Sequence, residues 1–228
     1  MLALGRSISS PKNHVRPVVP RIARRNFFNF TTKQDTVPKP KEVHLNLSSK
    51  PSFLQSCIPG HATREGTRRY VEKYAPITDP SHWRVLDPEE IIVSSIGTGT
   101  HVYTLTDEED SAFRKTMYYN LLNGVNIVDT SLRYNSQRSD ILFGDVLKFA
   151  IEKNRVQRDE VVIVAKAGRN HFEDDDLLYD ELITKNRILF DVEDMVCGTA
   201  NLSPPFLFYQ LQFALRNLGV QTIDVFLI

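Results

Sequence analysis

Between residues 91 and 228 the chain alternates short Val- and Ile-rich runs with longer segments of helical period, and this alternation limits the folds open to it. Apolar runs without in-out alternation are strands buried on both faces, and strands separated by helices join into parallel sheet through crossover connections. The runs are Ile91–Ile96, Val125–Val128, Val161–Ala165 and Ile223–Ile228. The first helix opens with the capping box Thr106-Asp107-Glu108-Glu109, which also puts acids in the first turn, and stops at Asn123-Gly124. A second helix spans 139–153 with Leu142, Val146, Phe149 and Ala150 on one face, and a third follows Ser203 as N-cap and Pro204 at N1 and ends at Gly219. Chemistry in such folds sits at the C-terminal ends of the strands. Three of those ends are polar: Gly97–Thr100, Asp129-Thr130-Ser131 and Lys166. The fourth run reaches the last residue of the sequence.

Charge divides the rest. The 228 residues carry 28 basic and 28 acidic side chains, a formal charge of zero. Residues 1–34 hold seven of the basic ones (Arg6, Lys12, Arg16, Arg21, Arg24, Arg25, Lys33) and no acid. Taking those seven away leaves 21 basic against 28 acidic residues over 35–228, a net of −7 on a body that does not suit nucleic acid. An Arg-rich, acid-free N-terminus whose apolar stretches are interrupted by Arg and Pro is the composition of an organelle-targeting presequence, and not of a secretory signal. Arg24-Arg25-Asn26-Phe27-Phe28 resembles a mitochondrial processing site, so a mitochondrial address is expected, with chloroplast as the alternative; a disordered basic tail or a nucleic-acid arm are the rival readings. Residues 35–82 read as an extension or linker with one short helix at 63–74, opened weakly because Gly66 stands where a capping box has Glu. No run approaches the ~18 apolar residues of a membrane span. Two cysteines, Cys57 and Cys197, make neither a disulfide scaffold nor a four-thiolate zinc site.

The strand-end residues admit two readings. Gly97-Thr98-Gly99 after a strand, with Asp129 closing the next, is a partial dinucleotide fingerprint of Rossmann type, but Val102 holds the place of the third glycine. The alternative is Asp129 and Tyr134 five residues apart, with Lys166 closing the next strand. Singly, each has a bland explanation: Asp129 as the cap of a turn, Tyr134 as a surface aromatic, Lys166 as a solvated strand end. The acids Glu173 to Asp176 beside His171 suit a solvated run better than a metal site, and no basic neighbour in sequence marks Cys197 as a nucleophile. His101 either faces the pocket or is a surface histidine.

Taken together, "GVNIVDTSLRY" with "RSDILFGDVL", "RDEVVIVAKAG" and "LSPPFLFYQLQFALRNLGVQTIDVFLI" resemble the second, third and fourth strands and their helices in the aldo-keto reductase family, and Trp83–Leu86 followed by "IIVSSIGTGT" resembles its N-terminal hairpin and first strand. The resemblance covers roughly residues 83–228. It implies the N-terminal half, about four βα units, of a (β/α)8 TIM-type barrel, with 167–202 as an insertion at the strand ends. It further implies an oxidoreductase that moves hydride between NADPH and a small carbonyl or alcohol. The family's Asp, Tyr and Lys fall on Asp129, Tyr134 and Lys166. Gly97, Thr98, Gly99, Thr100 and Asp129 are the positions that would line the cofactor. The family's fourth catalytic residue, a His directly after the fourth strand, has no counterpart, since Leu227-Ile228 end the sequence.

A whole barrel needs about 250 residues. The expectation is therefore a chain lacking the catalytic His and most of the cofactor site, inactive and poorly soluble alone, with DVFLI exposed at a sheet edge and open to the missing barrel half or to another chain. The rival expectation is a non-catalytic half-barrel interaction protein, or a degraded gene product. A doubly wound strand order would instead favour the Rossmann reading.

Overall fold

The computed structural model describes residues 55–102, 107–169, 196 and 200–228. The expected presequence, the capping residue Thr106, the His171 acidic run and Cys197 lie outside the described residues, as does most of the 167–202 insertion.

Helix α1 (Arg64–Tyr74) begins where Thr63 accepts a hydrogen bond from the Gly66 amide at 3.0 Å. The glycine has a packing reason. A Cβ on Gly66 would lie 2.2 Å from the Asp159 carbonyl, so the helix could not approach the turn before the third parallel strand. That approach seats Tyr70 in the core, with its hydroxyl donating to the Leu121 carbonyl at 2.7 Å. The stretch read as linker thus contributes its helix to the main hydrophobic cluster.

Strands β1 (Trp83–Leu86) and β2 (Ile91–Ser94) form an antiparallel hairpin in register Trp83↔Ser94 to Leu86↔Ile91. This corrects one expectation: Ile91–Ile96 is not the first parallel strand, and Gly97–Thr100 is not merely its polar end. The first parallel strand is β3 (Thr98–Gly99) itself. The reason lies in Asn126, fully buried, which fills the free side of β2. Its Oδ1 accepts from the Ser94 amide at 2.9 Å, and its Nδ2 donates to the carbonyls of Ile92 and Glu160 at 2.9 and 3.1 Å. A side chain stands there in place of a neighbouring strand, and the chain turns through Ser95–Gly97 before entering the sheet.

The remaining elements follow the expected alternation. Helix α2 (Asp107–Leu121) leads to β4 (Ile127–Asp129), α3 (Arg138–Glu152) to β5 (Val162–Lys166), and α4 (Pro204–Leu218) to β6 (Val225–Leu227). Ser203 holds the N-cap position of α4 with Pro204 at N1, yet its side chain makes no capping hydrogen bond. Gly219, at φ 64°, ends that helix in the left-handed conformation.

All four sheet strands are parallel, in the order β3-β4-β5-β6. Each new strand is added beside the previous one on the same side. A doubly wound sheet would reverse direction after its first strands and leave β3 inside, so the Rossmann reading is set aside for these residues. Two apolar layers result. On one face Phe113, Met117 and Leu121 of α2, Phe143 and Leu147 of α3 and Leu218 of α4 pack on Val128 and Ile163. On the other, Val162 and Val164 meet Val93 of the hairpin and Ala62. The sheet is buried on both sides, as its unalternating sequence requires.

Helices α3 and α4 touch at Gly144, where a Cβ would fall 2.7 Å from the Leu218 carbonyl and 2.8 Å from that of Asn217. Both obstacles are backbone and cannot rotate away. Gly144→Ala is expected to lower stability by about 1–3 kcal/mol, the usual range for overpacking, read as a lower midpoint in urea. An unchanged midpoint would show that the two helices can part without loss.

Candidate active site

Parallel strands that end together bring their last residues to one face. Gly99 pairs with Asp129, Asp129 with Val164, and Lys166 with Leu227, so the ends of β3, β4 and β5 meet there. The Lys166 Nζ donates to Asp129 Oδ1 at 2.5 Å and to the Thr130 carbonyl at 3.1 Å. It also lies 5.0 Å from the centroid of the Tyr134 ring, within cation–π range. The Asp129 side chain is 43% exposed, so the pair contributes little to stability, and its consequence is orientation. The structure thus brings Asp129, Tyr134 and Lys166 together. The ammonium is seated over the tyrosine ring, while its donated bonds go to Asp129 and Thr130.

His101, on the loop after β3, meets Tyr134 from another direction, with ring centroids 4.9 Å apart and planes at 61°. Its ring is exposed, and it nevertheless belongs to this cluster.

Backbone geometry beside Tyr134 is unusual. Asn135, Ser136 and Gln137 have φ of 52°, 50° and 73°, three consecutive left-handed residues with none of them glycine. Such residues occur singly as a rule and are held only by their surroundings. Here the Arg138 amide donates to the Asn135 carbonyl at 3.0 Å, Asn135 Nδ2 to Ser139 Oγ at 2.9 Å, and Asn217 Nδ2 to Gln137 Oε1 at 3.1 Å. The turn carries the chain from the aromatic residue directly into α3.

The glycine-threonine segment divides by side. Thr98 Oγ1 accepts from Asn120 of α2 at 3.0 Å, and Thr100 Oγ1 donates to Thr130 Oγ1 at 2.8 Å, so both side chains serve the packing between sheet and helices. Gly97 packs on Ile127, whose methyl lies 3.3 Å from where a Cβ would stand. Gly99 alternates with them, and a Cβ there would meet nothing within 4 Å. Gly99 pairs with Asp129, so this uncrowded position lies beside the carboxylate's strand end.

Among the solved structures similar to the chain, three illustrate the likeness. The holo form of an aldo-keto reductase from Bacillus halodurans superposes with TM-score 0.46 at 22% identity, over 64% of this chain and 39% of that one. A Pseudomonas aeruginosa protein assigned to the same family gives TM-score 0.43 at 22% identity, over 67% and 49%. An aldo-keto reductase complexed with NADPH gives 0.42 at 16% identity, over 64% and 35%. All three neighbours are aldo-keto reductases. The chain spans between about a third and a half of their lengths. No family model matches it, and no curated protein does.

A cleft of about 610 Å³ opens beside Lys166 and Tyr134. Its walls are largely apolar, from Leu132, Val196, Leu202, Leu227 and Ile228, with Arg133 and Arg169 as basic lining residues. A cation and a phenol in the lining of an apolar cleft are placed to receive a polar atom on an otherwise apolar molecule.

Sequence reasoning missed Asp140, which is fully buried. It accepts a short hydrogen bond on Oδ1 from Thr130 Oγ1, while Oδ2 has no hydrogen-bond partner. Burial pushes this carboxyl up to about 7, opposed by the Thr130 hydrogen bond and by the Lys166 charge. A signal existed: Asp140 shares its helix face with Phe143, Leu147 and Ala150, so an acid stands on a buried stripe.

Proposed function

We propose that Asp129, Tyr134 and Lys166 form the proton-donating end of an NADPH-dependent carbonyl-reducing site, built on the N-terminal half of a TIM-type barrel. The observation that carries this reading is the Lys166 ammonium, held by Asp129 and seated over the Tyr134 ring in the lining of an apolar cleft. Reduction of a carbonyl builds negative charge on its oxygen, which a nearby acid must quench. Tyr134 supplies that proton, and the Lys166 charge favours the phenolate left behind. Asp129 keeps the ammonium in place, and the apolar walls exclude water from the reacting carbonyl. Gly99 and Asp129 would border the nicotinamide ring, and bound NADPH supplies the hydride. NADPH is the cofactor bound in one of the similar structures. The substrate class is a small aldehyde, ketone or the corresponding alcohol.

The test is aldehyde-dependent oxidation of NADPH by the protein made from its complete reading frame. Tyr134→Phe is expected to lower the rate about a hundredfold or more with an unchanged melting temperature, the usual effect of losing a positioned general acid. No oxidation with any aldehyde of a broad panel, or a Tyr134→Phe enzyme of full activity, would end this reading.

A further inference from the structure

We propose that Asp140 is a positioning residue of the Lys166 site: acting through Thr130, it fixes the carbonyl that takes one of the ammonium's two hydrogen bonds, and its charge state bears on that of the lysine. The inference rests on the reading of Lys166 given above, and its test reads the lysine directly instead of turnover.

The connection is continuous. Thr100 Oγ1 donates to Thr130 Oγ1 at 2.8 Å, and Thr130 Oγ1 in turn donates to Asp140 Oδ1. With its hydroxyl so held, Thr130 has little freedom, and its carbonyl stands 3.1 Å from Lys166 Nζ. Ser139, the neighbour of Asp140, donates to the Thr100 carbonyl at 2.9 Å and closes the same network from the helix side. All four of Thr100, Thr130, Ser139 and Asp140 are buried. A network of this kind inside a protein is rigid when satisfied.

One atom in it is not satisfied. Asp140 Oδ2 has no hydrogen-bond partner although it is buried, an expensive arrangement for an anion and a mild one for a neutral acid. The charge that could stabilise the anion is on Lys166, one residue away through Thr130. Among the described residues the other charged and titratable groups nearby are Asp129 at the end of β4, already paired with Lys166, Tyr134 with its ring against the ammonium, Arg133 and Arg169 in the lining of the same cleft, His101 after β3, and Arg138 on α3, paired with Asp110 of α2. Helix α4 brings the uncharged Asn217 to the start of α3. Asp140 and Lys166 are therefore coupled: ionisation of the acid favours the ammonium, and the ammonium favours ionisation.

The experiment is the pH titration of Lys166 in the full-length protein, by reductive methylation with a carbon-13 label and NMR, for the wild type, Asp140→Asn, Thr130→Val and Thr130→Ser. In the wild type the Lys166 resonance is expected to shift once near neutral pH, as Asp140 ionises, and again as the lysine itself titrates. Asp140→Asn removes the first step and moves the lysine midpoint downward. Thr130→Val weakens both effects, and Thr130→Ser restores them, which a purely space-filling role for Thr130 would not produce. A wild-type resonance with no step near neutral pH overturns the proposal, and this holds even where a variant fails to fold. So does an unchanged lysine midpoint in folded Asp140→Asn. Coupled titration without NADPH oxidation by any aldehyde would leave this inference standing and remove the carbonyl-reducing reading.

Discussion

Asp224→Ala is expected to lower the stability of the folded unit by about 3–5 kcal/mol, a large share of the roughly 5–15 kcal/mol that holds a domain together. The carboxylate sits just before β6 and is almost entirely bonded. Its Oδ1 accepts from the Ala62 amide at 2.6 Å, and its Oδ2 accepts from the Ile163 amide at 2.7 Å and from the Arg158 guanidinium at 2.8 Å. Arg158 is itself buried and also donates to the carbonyls of Val161 and Thr222, at 2.6 and 2.9 Å. Removing the carboxylate strands a guanidinium charge and two amides away from water, and the loss comes mainly from that desolvated, unpaired cation. Denaturant unfolding followed by circular dichroism measures it. Replacing both partners by leucine is expected to recover much of the loss, because no buried charge then remains. If Asp224→Ala alone melts within a degree or two of the wild type, the ion pair is not what holds β6 to β5.

The second large effect is on the pH dependence of stability. Asp140 has a carboxyl pushed up to about 7 by burial, whereas in the unfolded chain it titrates near 3.9. Between those values the unfolded chain has released its proton and the folded chain has kept it. The folded state binds more protons there, so stability falls as pH rises through the window from about 4 to about 7, and is level with respect to this group on either side. The difference across the window is on the order of 4 kcal/mol. The wild type is expected to melt at a higher temperature at pH 5 than at pH 8. In Asp140→Asn this part of the slope disappears, and the variant gains stability relative to wild type above pH 7. Subtracting the two profiles cancels contributions from the histidines, which both proteins share. Parallel profiles for the two proteins would mean that Asp140 carries its charge throughout.

Much of this architecture was legible because its cause is local. Val162–Ala165 is apolar at every position and ends in lysine, which places a strand buried on both faces and a cation at its tip. Pro204 and Gly219 bracket α4 through backbone requirements that hold in any context. The first parallel strand was not legible from periodicity, because its two residues, Thr98 and Gly99, carry no apolar pattern; only the family resemblance of Trp83–Leu86 and IIVSSIGTGT put a hairpin and a first strand in this stretch. The stronger pattern of Ile91–Val93 belongs to a hairpin whose place is decided by Asn126, more than thirty positions away. Asp140 was hidden differently. An acid after serine at the start of a helix reads as an ordinary first-turn charge, and only the tertiary structure shows that this turn is closed off from solvent. Gly66 also looked like a weak cap until Asp159 was seen against it.

The one-sided order of the four parallel strands bears on how the chain is made. Each new parallel strand pairs with the one synthesised before it, so the sheet can grow from β3 towards β6 while later residues are still emerging. As Ile58 does with Gly219 and Gln221, the segment before α1 reaches far along the chain in the bond from the Ala62 amide to Asp224, which joins positions 162 residues apart. It cannot form until β6 has arrived. The amide at Ala62 therefore reports the arrival of β6: it gains this partner, and the protection from exchange that goes with it, only once that strand is in place.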